Sequence, residues 1–197
     1  MSSTRFLFSL LVGFLYLTGA IAQKYSITDY ILSGTGCARG TATATISDDA
    51  KSISLKYQSF VANAGPGVAD SNNRKNCQLT LVVNVPSGYQ FAFNDFSYSG
   101  RYALDSGVKG QFQTDYYFQS SIDESTGTVT VAGPASNSTR TLSTTPKNLL
   151  WSPCGKSSIV GVNSSLRVDN SASGNASGSV SVTTLSIPVD SISWKQC

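Results

Sequence analysis

The amino-acid sequence predicts an all-β fold, in which a single domain forms an antiparallel β-sandwich or a jelly-roll-like variant and carries two disulfides. Short apolar runs alternate with polar residues at a period of two, and after residue 22 no ten-residue stretch carries the apolar stripe of a helix. Turns containing glycine or proline separate these runs at the spacing typical of sandwiches and jelly rolls. Charged residues make up 13% of the chain, against about 25% in ordinary globular domains.

The N-terminal segment, residues 1–22, has the pattern of a removable signal peptide. Arg5 precedes an apolar run of 12 residues, and Ala20-Ile21-Ala22 is a small-x-small cleavage motif. A bilayer-spanning helix needs about 18 to 20 apolar residues, so this run is too short to be one. We therefore predict a secreted, extracellular domain over residues 23–197, and we expect no membrane insertion because no later segment is apolar enough.

The first predicted strands lie at residues 43–46 and 53–60, on either side of a turn at Asp48-Asp49. A strand at residues 79–85 has four apolar side chains on one face, and a turn at residues 86–88 leads into the strand pattern of residues 89–98. Within that last segment the aromatic side chains slip from odd to even positions across Asn94-Asp95, which predicts a β-bulge or a strand break.

The second half of the chain continues the strand pattern, and we expect eight to ten antiparallel strands in total. Its predicted strands lie at residues 108–119, 128–131, 159–168 and 179–187. Further turns are predicted at residues 65–67, 125–127 and 133–134, each marked by glycine. The low-complexity stretch 170–179 is predicted to be a flexible hairpin loop within the domain, because a strand pattern follows it.

Four cysteines, Cys37, Cys77, Cys154 and Cys197, lie in the predicted mature domain. An even number of cysteines in an oxidising compartment predicts two disulfides, for which three pairings are possible. We favour Cys37 with Cys77 and Cys154 with Cys197, because each pairing closes a loop of about 40 residues and joins neighbouring strands. The chain has no C-x-x-C spacing and no histidine, so we expect neither a zinc site nor a cofactor.

Composition excludes several classes of function. A net charge of +3 is too weak to indicate a nucleic-acid partner. The absence of histidine removes serine-histidine and cysteine-histidine catalysis. The loop at residues 65–76 has glycines and amide side chains of the kind found at calcium sites, but Asp70 is its single acid, so we interpret it as a structural loop.

Three sequons predict N-glycosylation of the secreted chain. Asn137, Asn163 and Asn175 each stand two residues before a serine or threonine in a polar setting.

Aromatic residues are concentrated in one part of the chain, since ten of the sixteen that follow residue 22 lie between residues 89 and 118. Within that region Phe112, Tyr116 and Phe118 alternate with polar residues, so that Gln113, Asp115 and Tyr117 share the opposite strand face. Sugar rings pack their C–H faces on aromatic rings, so these three residues form a candidate glycan-binding face. A solvated outer strand with one incidental tyrosine is the alternative interpretation.

Carboxylates offer a catalytic alternative. Asp95, Asp105, Asp115 and Glu124 cluster in sequence, and glycoside hydrolysis needs two carboxyl groups roughly 5 to 9.5 Å apart. Most of these acids have the sequence context of turn residues that cap backbone amides. We therefore assign no catalytic residue, and keep as the alternative a hydrolase that uses Asp115 and a second carboxylate.

Four motifs in combination resemble a known family. They are Gly34-Thr35-Gly36-Cys37, Arg74-Lys75-Asn76-Cys77-Gln78-Leu79, Trp151-Ser152-Pro153-Cys154-Gly155, and a terminal tryptophan and cysteine three residues apart. In this order they are similar to the secreted fungal and bacterial family known as domain of unknown function 4360. The resemblance implies a small extracellular β domain whose four cysteines form disulfides, and it carries over no catalytic residue.

Taken together, these observations predict a secreted, non-enzymatic binding protein that acts at a cell wall or a host surface. Its expected partner is a cell-wall glycan or a host protein, and an effector-like role on a host is one form this could take. A wall-directed polysaccharide hydrolase and a structural wall or coat protein are the alternatives.

Overall fold

The computed structural model describes residues 25–197, so the predicted signal peptide lies outside the described residues. Apart from two single-turn 3-10 helices, Asp70–Asn72 and Val189–Ser191, all regular structure in this range is β-strand. The twelve strands are β1 (Ser26–Ser33), β2 (Ala42–Ile46), β3 (Ile53–Ala64), β4 (Arg74–Asn84), β5 (Tyr89–Phe93), β6 (Phe96–Leu104), β7 (Lys109–Phe118), β8 (Glu124–Ala132), β9 (Ala135–Thr144), β10 (Ser158–Asp169), β11 (Gly178–Ile187) and β12 (Ile192–Gln196). Within residues 25–197, no helix has the length and apolar character needed to cross a membrane.

Two five-stranded antiparallel sheets pack face to face. The front sheet has the order β1-β4-β10-β7-β8 and the back sheet the order β2-β3-β11-β6-β9. Consecutive strands repeatedly change sheet: β3 is paired with β11 in the back sheet, while β4 is paired with β10 in the front sheet. This interleaving of folded two-strand ribbons is a jelly-roll arrangement, so the predicted all-β sandwich is confirmed.

The core lies between the sheets because strand alternation points every second side chain inward. In β4, Leu79, Leu81 and Val83 are buried while the residues between them are partly exposed. Large aromatic side chains dominate the interior, and the fully buried ones are Tyr98, Tyr102, Tyr116, Phe60, Phe91, Phe93, Phe96, Phe112 and Phe118. The concentration of aromatic residues between residues 89 and 118 therefore forms mostly core.

A two-stranded ribbon of β5 and β12 closes one end of the sandwich. The predicted break at Asn94-Asp95 is confirmed, because β5 ends at Phe93 and β6 begins at Phe96 in a different sheet. Trp194 of the ribbon packs on Phe91 and Tyr25, with ring centroids 5.4 and 4.6 Å apart.

Both disulfides have the predicted pairing. Cys37, in the connection from β1 to β2, is bonded to Cys77 in β4, with Cα atoms 5.4 Å apart. Cys154 is bonded to Cys197 beyond the end of β12, with Cα atoms 6.1 Å apart.

Three sequence-based expectations differ from the structure. The turn predicted at residues 125–127 is wrong, because these residues lie inside β8. A Cβ on Gly127 would lie 2.8 Å from the backbone of Thr145, so this glycine permits close approach of a neighbouring segment. Residues 170–177 connect β10 to β11 in the opposite sheet, so they do not form a hairpin within one sheet. The structure also has twelve strands instead of eight to ten.

Candidate functional site

The candidate residues Gln113, Asp115 and Tyr117 lie on the outer face of the front sheet, on β7. Cross-strand pairing arranges the side chains of this face in rows perpendicular to the strands. The Tyr117 row contains Ile31, Thr80, Gly161, Tyr117 and Glu124. The Asp115 row contains Ser33, Gln78, Asn163, Asp115 and Thr126. The Gln113 row contains Asn76, Ser165, Gln113 and Thr128, and the Gln111 row contains Arg74, Arg167, Gln111 and Thr130.

The ring of Tyr117 lies across the neighbouring strand and covers Gly161. A Cβ on Gly161 would be 2.5 Å from Tyr117 Cζ, so the hydroxyl end of the ring lies directly above this glycine. Gln78 Nε2, on the next strand, donates to the Tyr117 hydroxyl oxygen over 3.5 Å. Tyr117 is 37% exposed. The ring is therefore supported from below by the sheet while part of it faces solvent.

Asp115 and Gln113 form a fixed polar pair next to this ring. Gln113 Nε2 donates to both carboxylate oxygens of Asp115, at 2.9 and 3.0 Å. The Thr126 hydroxyl donates to Asp115 Oδ1 over 2.8 Å. Both side chains are half-buried. The three sequence-predicted residues are thus brought together, and two of them bond directly to each other.

A buried network of hydroxyl groups lies beneath this face. The Tyr98 hydroxyl bonds to Ser164 Oγ at 2.8 Å and to Thr114 Oγ1 at 2.5 Å, and Thr114 bonds to Thr144. Burial raises the pKa of Tyr98 to about 12, although its hydroxyl partners act to lower it. Since Thr114 and Ser164 belong to β7 and β10 and Tyr98 to β6, the network ties the two strands that carry the face to the back sheet.

The three predicted glycosylation sites have different surroundings. Asn137, at the exposed edge strand β9, and Asn175, in the connection between β10 and β11, are exposed. Asn163 lies inside β10, in the Asp115 row, and its Oδ1 accepts a hydrogen bond from Asn76 Nδ2 over 3.4 Å. A glycan on Asn163 would project from the middle of the candidate face.

The acids that cluster in sequence are separated by the fold. Asp95 lies at the break between β5 and β6 and accepts a hydrogen bond from Thr145, whereas Asp105 follows β6 and accepts one from the Ser177 backbone. Glu124 is diagonal to Asp115 across β7 and β8, because it is paired with Tyr117. Among the described residues, no group of three or more acids or cysteines is placed to hold a metal ion.

A recess of about 780 Å³ lies elsewhere, at one end of the back sheet beneath the loop at residues 65–69. Its walls include Asn63, Val68, Ala103 and Ser179. Aromatic and basic side chains are not among its described lining residues, so it has no exposed ring comparable to that of Tyr117.

The sequence analysis missed two residues that complete the face, Gln78 and Gly161. A signal for both was present. Gln78 occupies the polar side of a strand whose other side is apolar, and Gly161 interrupts a predicted strand, where glycine often marks close approach of another group.

Two antiparallel sheets joined by ribbons, two disulfides and a polar outer face define the class, an extracellular disulfide-bonded β-sandwich. The chain belongs to the family described as Domain of unknown function (DUF4360), whose model matches residues 23–197. A relative from Arthroderma benhamiae, named "Uncharacterized secreted protein", is 33% identical over 187 residues, which cover 89% of this chain and 73% of the relative. The predicted family and the predicted secretion are both confirmed.

Solved structures with a related arrangement are distant. TmCBM61, in complex with β-1,4-galactotriose, is 8% identical with a TM-score of 0.29, over 87% of this chain and 91% of that one. A family 11 carbohydrate-binding module from Clostridium thermocellum, in complex with a mixed-linked tetrasaccharide, is 9% identical with a TM-score of 0.27, over 85% of this chain and 97% of that one. TM-scores this low establish no functional relationship.

Proposed function

We propose that this secreted protein binds an oligosaccharide of a cell wall or a host surface on the outer face of its front sheet, without catalysis. The observation that carries this proposal is the position of Tyr117 on Gly161, with Gln78 holding its hydroxyl. A sugar ring presents C–H groups on its faces and hydroxyl groups at its edge. Tyr117 supplies the flat apolar surface, and the neighbouring row supplies the polar partners.

The polar partners are arranged before a ligand arrives. Asp115 is fixed by Gln113 and Thr126, and the strands that carry these residues are paired on both sides. Groups already held in place lose little conformational entropy when they bind, which increases affinity. Carboxylate and amide groups both bond well to hydroxyls, and they occur together in the Asp115 row.

The length of the rows indicates the size of the ligand. A row crosses five strands, and since adjacent strands are about 4.8 Å apart it spans about 19 Å. A face of this width has room for an oligosaccharide and is larger than a single sugar requires.

Polysaccharide pull-down tests the proposal directly. Purified protein is mixed with insoluble chitin, β-glucan, cellulose and xylan, and both its depletion from solution and the release of reducing ends are measured. We expect depletion on at least one polymer without released sugar. Tyr117→Ala should weaken that binding about tenfold, which corresponds to about 1.4 kcal/mol. Tyr117→Phe is the matched control, because it keeps the ring and removes only the hydroxyl.

The result that would overturn the proposal is equal binding by the wild-type protein and Tyr117→Ala, or no depletion on any polymer. Denaturant unfolding of both variants, followed by fluorescence, separates loss of the face from loss of the fold. Retention of the protein in an isolated wall fraction, independent of Tyr117, would favour the structural wall or coat alternative.

A hydrolase is the second candidate, and the diagonal placement of Asp115 and Glu124 favours it. Diagonal neighbours on paired strands lie about 7 to 8 Å apart, with their Cβ atoms somewhat closer, so the two carboxyl groups can reach the separation of about 5 to 9.5 Å that glycoside hydrolysis uses. Against it, both carboxylate oxygens of Asp115 already accept hydrogen bonds from Gln113 or Thr126. Released reducing ends that disappear in Asp115→Asn, with the fold intact, would establish the hydrolase.

A further inference from the structure

Charge is distributed unevenly along the outer face of the front sheet. The Tyr117 and Asp115 rows carry two acids, Glu124 and Asp115, whereas the Gln111 row carries Arg74 and Arg167. Asp115 is four residues from Gln111 on β7, a separation of about 13 Å along the strand. This exceeds the screening length of about 8 Å at physiological ionic strength, so the acids hardly neutralise the basic end.

The two arginines lie directly opposite each other. Arg74 of β4 and Arg167 of β10 are cross-strand partners, and both are exposed. Like charges in this position repel each other and destabilise a sheet. A pair of this kind is stabilised when an anion bridges it, because each guanidinium can donate two parallel hydrogen bonds to a carboxylate, phosphate or sulfate group.

A recess adjoins the arginine pair. It has a volume of about 320 Å³, and its walls are formed by Lys109, Gln111, Thr130, Arg167 and Asp169. A hydrogen bond from Ser171 is the main cause that lowers the pKa of Asp169, and the nearby charges of Arg167 and Lys109 lower it further. With three cations and one carboxylate, this end of the face has a net charge of +2.

We propose that Arg74, Arg167 and Lys109 form an anion subsite, and that the ligand of the front sheet is an acidic oligosaccharide. An anionic substituent on the sugar chain binds between the two arginines while another sugar ring of the same chain packs on Tyr117. Tyr117 and Gln111 are six residues apart on β7, which is about 20 Å, so one oligosaccharide along the strands reaches both places. This inference depends on the proposed function.

Pairs of polymers that differ only in charge test the subsite. Binding is measured for polygalacturonate against its methyl ester, and for dextran sulfate against dextran, which separates carboxylate from sulfate as the anionic group. We expect at least one anionic polymer to bind about tenfold more tightly than its neutral partner. We expect this preference to decrease as the salt concentration rises.

Variants assign the preference to the arginine pair. Arg74→Gln and Arg167→Gln should each remove most of the preference for the anionic polymer, and Arg167→Lys should restore only part of it, because lysine keeps the charge and loses the paired hydrogen bonds. Arg101→Gln, on the outer face of the back sheet, removes the same charge elsewhere and should leave binding unchanged. Thermal unfolding should show that none of these exposed substitutions destabilises the fold.

Each result has a defined meaning. Three results would overturn the anion subsite. They are equal binding of charged and neutral polymers, a preference for the anionic polymer that survives in the Arg74→Gln/Arg167→Gln double variant, and a loss of that preference in Arg101→Gln as large as in the front-sheet variants. If neutral polymers still bind in a Tyr117-dependent way in those cases, the proposed function stands alone. If no polymer binds, or if anionic binding does not depend on Tyr117, the proposed function fails as well.

Discussion

Gly161 gives the sharpest test of how the candidate face is built. A Cβ at this position would lie 2.5 Å from Tyr117 Cζ and 2.6 Å from Gln78 Nε2, and both atoms belong to the far ends of flexible side chains. In Gly161→Ala the ring must therefore move by about an ångström to reach an ordinary contact of 3.5 to 4 Å. The backbone of the sheet need not move.

The expected change in stability is small. Replacing glycine by alanine in a strand stabilises by about 0.5 to 1 kcal/mol, and the displaced ring loses part of its contact with the sheet, which offsets this gain. We expect a net change in the free energy of unfolding below about 1 kcal/mol, or below about 4 °C in Tm. Binding of polysaccharide should nevertheless weaken, because the ring is lifted from its support.

Gly100→Ala is the matched control, since Gly100 is also a strand glycine. Its Cβ would lie 2.0 Å from the Ser181 carbonyl oxygen, a backbone atom of the paired strand β11. That atom can move only if the pairing of the strands is distorted, so we expect a loss of about 3 kcal/mol. Urea unfolding followed by fluorescence measures both variants. Comparable destabilisation by the two substitutions would refute the argument that Tyr117 yields while the sheet stays in place.

Three further predictions concern the rest of the molecule. Replacing both Cys154 and Cys197 by serine should lower the free energy of unfolding by about 4 kcal/mol in the chain-entropy model, given a sequence separation of 43 residues; an unchanged urea midpoint would contradict it. Burial raises the pKa of Tyr98 and Tyr102 to about 12, from 10.0. The folded state therefore holds these two protons more tightly, so the contribution of these two groups to stability should be constant below pH 10 and decrease as the pH rises toward 12, and their own tyrosinate absorbance should appear only on unfolding; ionisation of these groups in the folded protein near pH 10 would argue against it. Molecules glycosylated at Asn163 should not bind polysaccharide, whereas enzymatic deglycosylation or Asn163→Gln should leave binding intact; glycoforms separated by mass and assayed individually provide the check.

Much of the fold could be predicted from the sequence because the central strands bury one face and therefore alternate clearly. The strands that were missed, β1, β9 and β12, each pair with a neighbour on one side only. An edge strand such as β9 is mostly solvent-exposed, and Thr144 is its single buried residue. Its sequence is therefore polar and lacks the apolar alternation that predicts a strand. Its strand character comes from its partner, which is not visible in the local pattern.

The candidate site was partly predictable for the same reason. The alternation within β7 placed Gln113, Asp115 and Tyr117 on one face, because this information is contained in a single strand. Arg74 and Arg167 lie opposite each other because of the register between β4 and β10, which are separated by more than 70 residues in sequence. Cross-strand register of this kind depends on the whole fold, so the arginine pair emerges only from the structure.

The row arrangement of the front sheet also has an evolutionary consequence. Outward side chains alternate with core side chains along each strand, and exposed substitutions generally change stability by less than about 0.5 kcal/mol. Most positions on this face can therefore mutate one at a time while the buried aromatic core and the two disulfides preserve the fold. Under the proposed function, a change of ligand would therefore need only the exchange of single residues in a row, without the loop insertions through which many binding proteins acquire new specificities.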